Sequence, residues 1–318
     1  GKTYAIQSML SELTSKGISA VIFDYTEGFR EDQLEQPFLE RVGDKLHQNI
    51  VYYEGVHINP FVRHDIDVVG KLYKEKDTDV AQRIAGILTH VYDFGDQQYS
   101  AVYEACKMGL EKYGDNMNMH YLYDELKNNT SNSSASRCAS KILPFVDAVD
   151  YNISDNFSWK ELLEGKGEIT IFQLTQYNRE IQVIITELLL WDAWYYTKIN
   201  GNKDKPFVVV LDEAQNLSHK EGSPSQYILT EGRKFGWSAW FATQSLKVLN
   251  DDEVVRLQQA GYSMYFKPTP EEVPKIAKSI DNSNVERWRK NLQDLNKGQC
   301  IVVGKRPIIT NIASFEER

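Results

Sequence analysis

Phe207-Val208-Val209-Val210-Leu211-Asp212-Glu213-Ala214 is the stretch on which the reading of this chain turns. Five consecutive apolar residues suit a central parallel strand covered on both faces, because a strand with one wet face alternates apolar and polar residues. The run ends on two adjacent acids, Asp212 and Glu213. In a parallel sheet the C-terminal strand ends open onto a shared crevice, and acids placed there face a ligand.

Outward from this stretch the same pattern repeats. Downstream, a helix is expected over Pro224 to Phe235 and a strand over Ser238 to Thr243. Upstream, Ile169 to Leu174 reads as a strand, Arg179 to Ile199 as a long helix, and Asn200 to Lys205 as a polar loop. Near the start, Ile6, Met9, Leu10 and Leu13 share one helix face, and Gly17 suits the residue that ends the helix. Ala20 to Phe23 reads as a buried strand closing on Asp24, and a second short strand is expected at Ile50 to Tyr53. Ile58 to Phe61 is read as a loop, since Pro60 disfavours helix at Asn59. The tail, Cys300 to Val303 then Ile308 to Ile312, reads as a hairpin turning at Gly304 to Pro307. Strands alternating with helices give an α/β class with a mostly parallel central sheet.

Between residues 64 and 163 helical patterns take over, as in Val80, Ala81, Ile84, Leu88 and Val91. This span is expected to be a helical insertion in a core made of residues 1–63 and 164–318. Within it the polar tract Asn128 to Ser136 is expected to be a mobile loop.

The 318 residues suffice for one large domain or a domain with an insertion. The three cysteines, Cys106, Cys138 and Cys300, lie far apart. They form neither a C-x-x-C pair nor a zinc spacing, which points to a reducing, cytoplasmic compartment. A net charge of −9 argues against a whole-surface nucleic-acid binder but leaves room for a local basic channel. No run approaches the roughly 20 apolar residues of a membrane span.

A P-loop reads G-x-x-x-x-G-K-[ST] ahead of a helix. Gly1-Lys2-Thr3 before an amphipathic helix matches its last three positions. A helix N-terminus presents free N–H groups to anionic oxygens. Lys2 would then reach the β/γ-phosphates of ATP, and Thr3 would give a hydroxyl to Mg2+. Alone, the triplet carries little. Its weight comes from Asp212 and Glu213, which read as a Walker B pair: Asp212 holds Mg2+, directly or through water, and Glu213 polarises the attacking water. The chain opens on Gly1 rather than Met, so the motif reads as cut in the middle. The phosphate-cradling glycines and any preceding domain are expected upstream, and the chain as given is expected to bind ATP poorly.

Gln244, in Ala242-Thr243-Gln244-Ser245, ends the next strand. It could sense the γ-phosphate or orient the water; taken by itself it reads better as a polar strand cap. Arg233 and Lys234 fall at a helix end, where the dipole favours cations. The sharper reading makes Arg233, with Lys234 as second candidate, an arginine finger acting across a subunit interface.

Taken in order, Gly1-Lys2-Thr3, Phe23-Asp24 with Glu27-Gly28-Phe29, Asn59-Pro60-Phe61, Leu211-Asp212-Glu213-Ala214, Glu231-Gly232-Arg233-Lys234-Phe235-Gly236 and Ala242-Thr243-Gln244-Ser245 resemble the HerA/FtsK branch of P-loop ATPases. Within it, the chain is most similar to the HerA-like ATPases of phosphorothioation-dependent DNA restriction. The resemblance implies a RecA-like core, a homohexamer with ATP at subunit interfaces, DNA in the central pore and other restriction-system proteins as partners. It also implies that Gly1, Lys2, Thr3, Asp212, Glu213 and Gln244 serve their own subunit's site, with Arg233 serving a neighbour's.

Other constellations are weak. The six histidines show no metal-binding spacing, and no G-x-S-x-G elbow occurs. Met117 and Met119 with Tyr121 and Tyr123 read as packing. Lys247, Arg256 and the segment Arg287-Trp288-Arg289-Lys290 are candidates for touching nucleic acid, against a solvated helix face for the last. The leading expectation is an ATP-driven DNA translocase or helicase of a restriction system. The alternatives are a secretion- or conjugation-type ATPase and a nucleotide-gated assembly module with little turnover.

Overall fold

The computed structural model describes residues 1–153 and 157–318. Its strands in chain order are β1 Ala20–Asp24, β2 Leu46–Ile50, β3 Asp65–Val68, β4 Lys71–Lys74, β5 Ile169–Gln173, β6 Phe207–Leu211, β7 Trp237–Phe241, β8 Ser263–Tyr265, β9 Gln299–Val303 and β10 Ile308–Asn311. Its helices are α1 Lys2–Ser15, α2 Gln36–Val42, α3 Val51–Glu54, α4 Asp77–Tyr92, α5 Asp96–Tyr113, α6 Met119–Asn128, α7 Ser133–Ala148, α8 Trp159–Leu163, α9 Arg179–Asn200, α10 Pro224–Glu231, α11 Asp251–Leu257, α12 Val273–Ile280 and α13 Val285–Asp294.

The central sheet has five strands in the order β2-β5-β1-β6-β7, parallel throughout. β6 lies between β1 and β7 and is buried along its whole length. Alternate side chains serve different cores, as the two-residue period of a strand requires. Phe207, Val209 and Leu211 join the core shared with α4 to α7 and α9. Val208 and Val210 join the core under α1 and α2, with Ile6, Leu10 and Phe38. Each such side chain contributes about 1.5–3 kcal/mol on burial, so no polar residue is tolerated until the strand leaves the sheet, at Asp212.

The helices α4 to α7 do not form a core of their own. Val80, Ile84, Val102, Leu122 and Phe145 belong to the same cluster as Phe23 and Leu211, and α4 packs on α9. The segments that flank this helical layer lie side by side. Val56 pairs with Tyr151, and Val56 N donates to Asp150 O at 2.8 Å. The span 64–163 also contains the β3–β4 hairpin, which helical periodicity does not reveal; Ser154 to Asn156 of that span lie outside the described residues.

Two expectations are corrected. The second strand lies over Leu46–Ile50, and Val51 to Tyr53, expected as its end, open a helical turn. The Glu54 carboxylate accepts from Ile50 N at 2.8 Å, and Gly55 at φ 80 ends the turn. The polar tract Asn128 to Ser136 is mostly helix, with only residues 129–132 outside it. Asn132 caps α7, its side chain accepting from Ser134 N and Ala135 N at 2.9 and 3.3 Å, so the serines that follow form a first turn rather than a loop.

A third, smaller core joins the antiparallel sheet β8-β9-β10 to α12 and α13. Trp288 is buried in it. That ring therefore packs inside the protein and is not offered to a nucleobase. The chain end then returns to the main body, where Phe315 packs edge-on to Tyr4 with ring centroids 5.2 Å apart.

Candidate active site

β1, β6 and β7 end side by side, and their continuations build the site. After Leu211 the chain turns sharply: Glu213 takes a left-handed backbone, φ 51. Ala214 N donates to Ala242 O at 2.9 Å, which locks this turn to the end of β7. A non-glycine residue in that region costs of order 1–3 kcal/mol and persists where its surroundings over-determine it. Glu27, on the loop after β1, shares the feature at φ 63. Both strained glutamates belong to loops at the same edge of the sheet.

The Glu213 carboxylate is buried and held from both sides. One oxygen accepts from Gln244 Nε2 and the other from Gln215 Nε2 at 2.5 Å. Lys2, in the first turn of α1, donates its ammonium to the carbonyl of Thr243. Burial pushes the Lys2 pKa down despite the opposing pull of Glu213, Asp212 and Glu272, in that order. Lys2, Asp212, Glu213 and Gln244 thus stand together in one crevice at the C-terminal end of the sheet, Glu213 buried, Lys2 and Asp212 half-buried and Gln244 exposed. Gly1 takes the N-cap position of α1 with no side-chain cap, which leaves the first N–H groups without helical partners.

Two further residues complete the arrangement: Asp24, read from the sequence only as a strand end and a motif position, and Thr26, which the sequence did not single out. Asp24, fully buried at the end of β1, accepts from Phe29 N at 2.8 Å, Thr26 N at 3.1 Å and Gln173 Nε2 at 3.1 Å. These bonds fold the loop 25–29 back over α1, so that a methyl group on Gly28 would lie 3.9 Å from Thr3 Oγ1. Thr26 Oγ1 in turn donates to Asp212 Oδ2 at 2.8 Å. The sequence signal was only a hydroxyl two residues beyond a strand-ending acid, and its meaning depends on β1 lying next to β6.

Burial pushes the Asp212 carboxyl above its ordinary range, and the charges of Glu213 and Asp24 push it further against the Thr26 bond. Asp24 is raised as well, chiefly by burial. The crevice therefore holds more negative charge than Lys2 offsets. Asp212, Thr3 and Thr26 offer hard oxygen donors, which suit Mg2+. Among the described residues no group of three His, Cys, Asp or Glu side chains could hold a metal alone.

Arg233 and Lys234 are not part of this cluster. They sit in the turn Gly232–Phe235 that precedes β7, exposed, with Lys234 3.7 Å from Glu231. β7 runs parallel to β6 with Trp237 opposite Phe207. The two cations therefore lie at the start of the strand, about 17 Å of strand from the acidic edge. Of the other cations, Arg256 Nη1 donates to His219 O at 2.8 Å, and Lys247 pairs with Glu271.

No protein-family model matches the chain, and no curated protein matches it. Solved structures do. VirB4 of Thermoanaerobacter pseudethanolicus superposes with a TM-score of 0.72 at 15% identity, over 99% of this chain and 86% of that one. The plasmid coupling protein TrwB in complex with the non-hydrolysable ATP analogue ADPNP gives 0.67 at 16% identity, over 97% and 81%. TrwB in complex with ADP and Mg2+ gives 0.64 at 18% identity, over 98% and 82%. Among the described residues no helix is long and apolar enough to cross a membrane. The chain has the RecA-like P-loop NTPase fold, with a parallel five-stranded sheet, similar to VirB4 and TrwB.

Proposed function

We propose that this chain is the ATPase core of a P-loop motor that uses ATP with Mg2+. The observation that carries the reading is the convergence of Lys2, Asp212, Glu213 and Gln244 on one crevice, in a fold shared with structures that hold ADPNP or ADP and Mg2+. ATP with Mg2+ supplies, when bound, the scissile phosphoanhydride and the cation charge that the acidic crevice lacks. Lys2 and the free N–H groups of α1 bind phosphate oxygens. Asp212 and Thr3 hold the cation. Glu213 orients a water and takes up its proton. Gln244, now a donor to Glu213, keeps that carboxylate aligned and registers the γ-phosphate.

Arg233 stands at the far end of its own strand, and this supports a finger that reaches a neighbour's site in a ring, with Lys234 as second candidate. The ring is proposed to be a homohexamer that moves DNA through its pore, a HerA-type translocase of a phosphorothioation-dependent restriction system with that system's other proteins as partners. The likeness to VirB4 and to a coupling protein supports a second reading, an ATPase of the conjugation or secretion type.

The test is Glu213→Gln in the full-length protein, assayed with and without DNA. Nucleotide binding should persist while turnover falls about 10²–10⁴-fold, and wild-type turnover should rise with DNA. Unchanged turnover in the variant removes Glu213 from the chemistry. Turnover indifferent to DNA moves the assignment to a protein-moving ATPase. Binding without turnover in the wild type makes the protein an assembly module.

A further inference from the structure

His219 lies outside the crevice and is wholly buried. Its Nε2 is 2.7 Å from the carbonyl oxygen of Ala214, the residue after Glu213. Its Nδ1 is 2.6 Å from Ser225 Oγ, in the first turn of α10. A carbonyl only accepts, so Nε2 carries the proton and Nδ1 accepts from the hydroxyl. Burial favours this neutral form. α10 then runs directly into the turn that carries Arg233. One imidazole therefore bridges the catalytic turn and the helix of the finger.

The segment between them is braced. His90 Nε2 lies 3.1 Å from Asn216 O, Ser218 N donates to Glu187 Oε1 at 2.7 Å, and Arg256 holds His219 O. Glu213 is strained, and its carboxylate is gripped by Gln244 and Gln215. Ala214, whose carbonyl His219 holds, follows Glu213 directly, so a shift of the Glu213 turn would reach the imidazole through that bond. Coupling of this kind needs contiguous, rigid elements with discrete arrangements.

We propose that His219 is a positioning residue that transmits the state of the Glu213 turn to α10, and thereby sets where Arg233 stands for the neighbouring subunit. This rests on reading Arg233 as a finger acting in trans. The test compares His219→Phe, which removes both bonds, with His219→Gln, which keeps a donor and an acceptor. Rings of His219→Phe should lose turnover about 5–150-fold, the range of an allosteric coupling energy, with the KM for ATP little changed. His219→Gln should retain most of it. Mixed with Glu213→Gln subunits, whose own sites are dead but which keep both Arg233 and the His219 bridge, His219→Phe subunits should regain turnover to the same extent as Arg233→Ala subunits in the same mixture. Rescue of Arg233→Ala without rescue of His219→Phe overturns the relay and leaves His219 a support of its own site. Wild-type turnover in His219→Phe rings overturns it too. No rescue of Arg233→Ala removes the trans finger, and the relay with it. If His219→Phe does not assemble, Ser225→Ala, which deletes only the hydroxyl on α10, takes its place with the same expectations.

Discussion

Thr26 shows how much of the site depends on one hydroxyl. It donates to Asp212, whose carboxyl burial already pushes up. A hydrogen bond to a charged group contributes about 1.5–3 kcal/mol, so losing it makes Asp212 easier to protonate and harder to load with a cation. Thr26→Val should therefore raise the Mg2+ concentration that half-saturates binding of a fluorescent ADP analogue, roughly tenfold, the equivalent of about 1.4 kcal/mol. The sign with pH follows. Only the ionised carboxylate binds the cation, so the defect should be larger at pH 6 than at pH 8.5. Thr26→Ser should restore the wild-type value. A shift equal at both pH values would mean the hydroxyl acts on shape and not on the ionisation of Asp212.

At the scale of elements, the sheet was legible where strands are buried on both faces. β6 is an unbroken apolar run, β1 is apolar up to Asp24, and β5 is interrupted only by Thr170 before Gln173, a pattern that suits strands covered on both faces. β2 was misplaced because its residues, Leu46-His47-Gln48-Asn49-Ile50, are polar for an edge position, and the apolar signal of Val51 to Tyr53 belonged to the next turn. That Lys2, Asp212, Glu213 and Gln244 would come together was legible because Lys2 opens α1 and the others lie within three residues of the ends of β6 and β7. Thr26 and His219 were not, and of Asp24 only its place at a strand end was, since their bonds exist only across strands or between a loop and a helix. The tract before α7 failed for a local reason, the capping geometry of Asn132. Asn132→Ala should lower stability by about 1 kcal/mol, read as a fall in the urea midpoint at unchanged slope. Asn132→Asp, which keeps an acceptor for Ser134 N and Ala135 N, should lose much less. Equal losses in both would show that the cap contributes nothing.

At the scale of the whole molecule, one polar network joins the helical layer to α9, which packs against the sheet. The buried Arg83–Glu75 pair ties α4 to the end of β4, and Tyr195 OH of α9 donates to Glu75 at 2.9 Å. His64 stacks on Tyr195 with ring centroids 4.4 Å apart and lies 3.5 Å from Asp192. Trp159 of α8 donates to Asp192 at 2.7 Å. Burial works against charge on both His64 and Asp192. Burial, with Arg83 and Lys74 nearby, pushes the His64 pKa down to about 3, while burial pushes the Asp192 carboxyl up to about 6. Their effects on stability have opposite signs. A raised carboxyl favours the protonated fold, so its contribution is complete below about pH 3.9 and is lost as pH rises through about 6. A depressed histidine favours the neutral fold, so its contribution is complete above about pH 6.5 and is lost as pH falls towards 3. Between pH 4 and 6 the two offset each other in the wild type. Asp192→Asn removes the first alone and keeps an acceptor for Trp159. Relative to wild type, the variant should therefore gain about 2 kcal/mol between pH 4.5 and pH 7.5, from the roughly 1.5 pKa units between pH 4.5 and the raised value at about 1.4 kcal/mol each. Urea unfolding of both proteins at the two pH values measures it. A difference that does not change with pH would show that Asp192 titrates in the fold as it does in the unfolded chain.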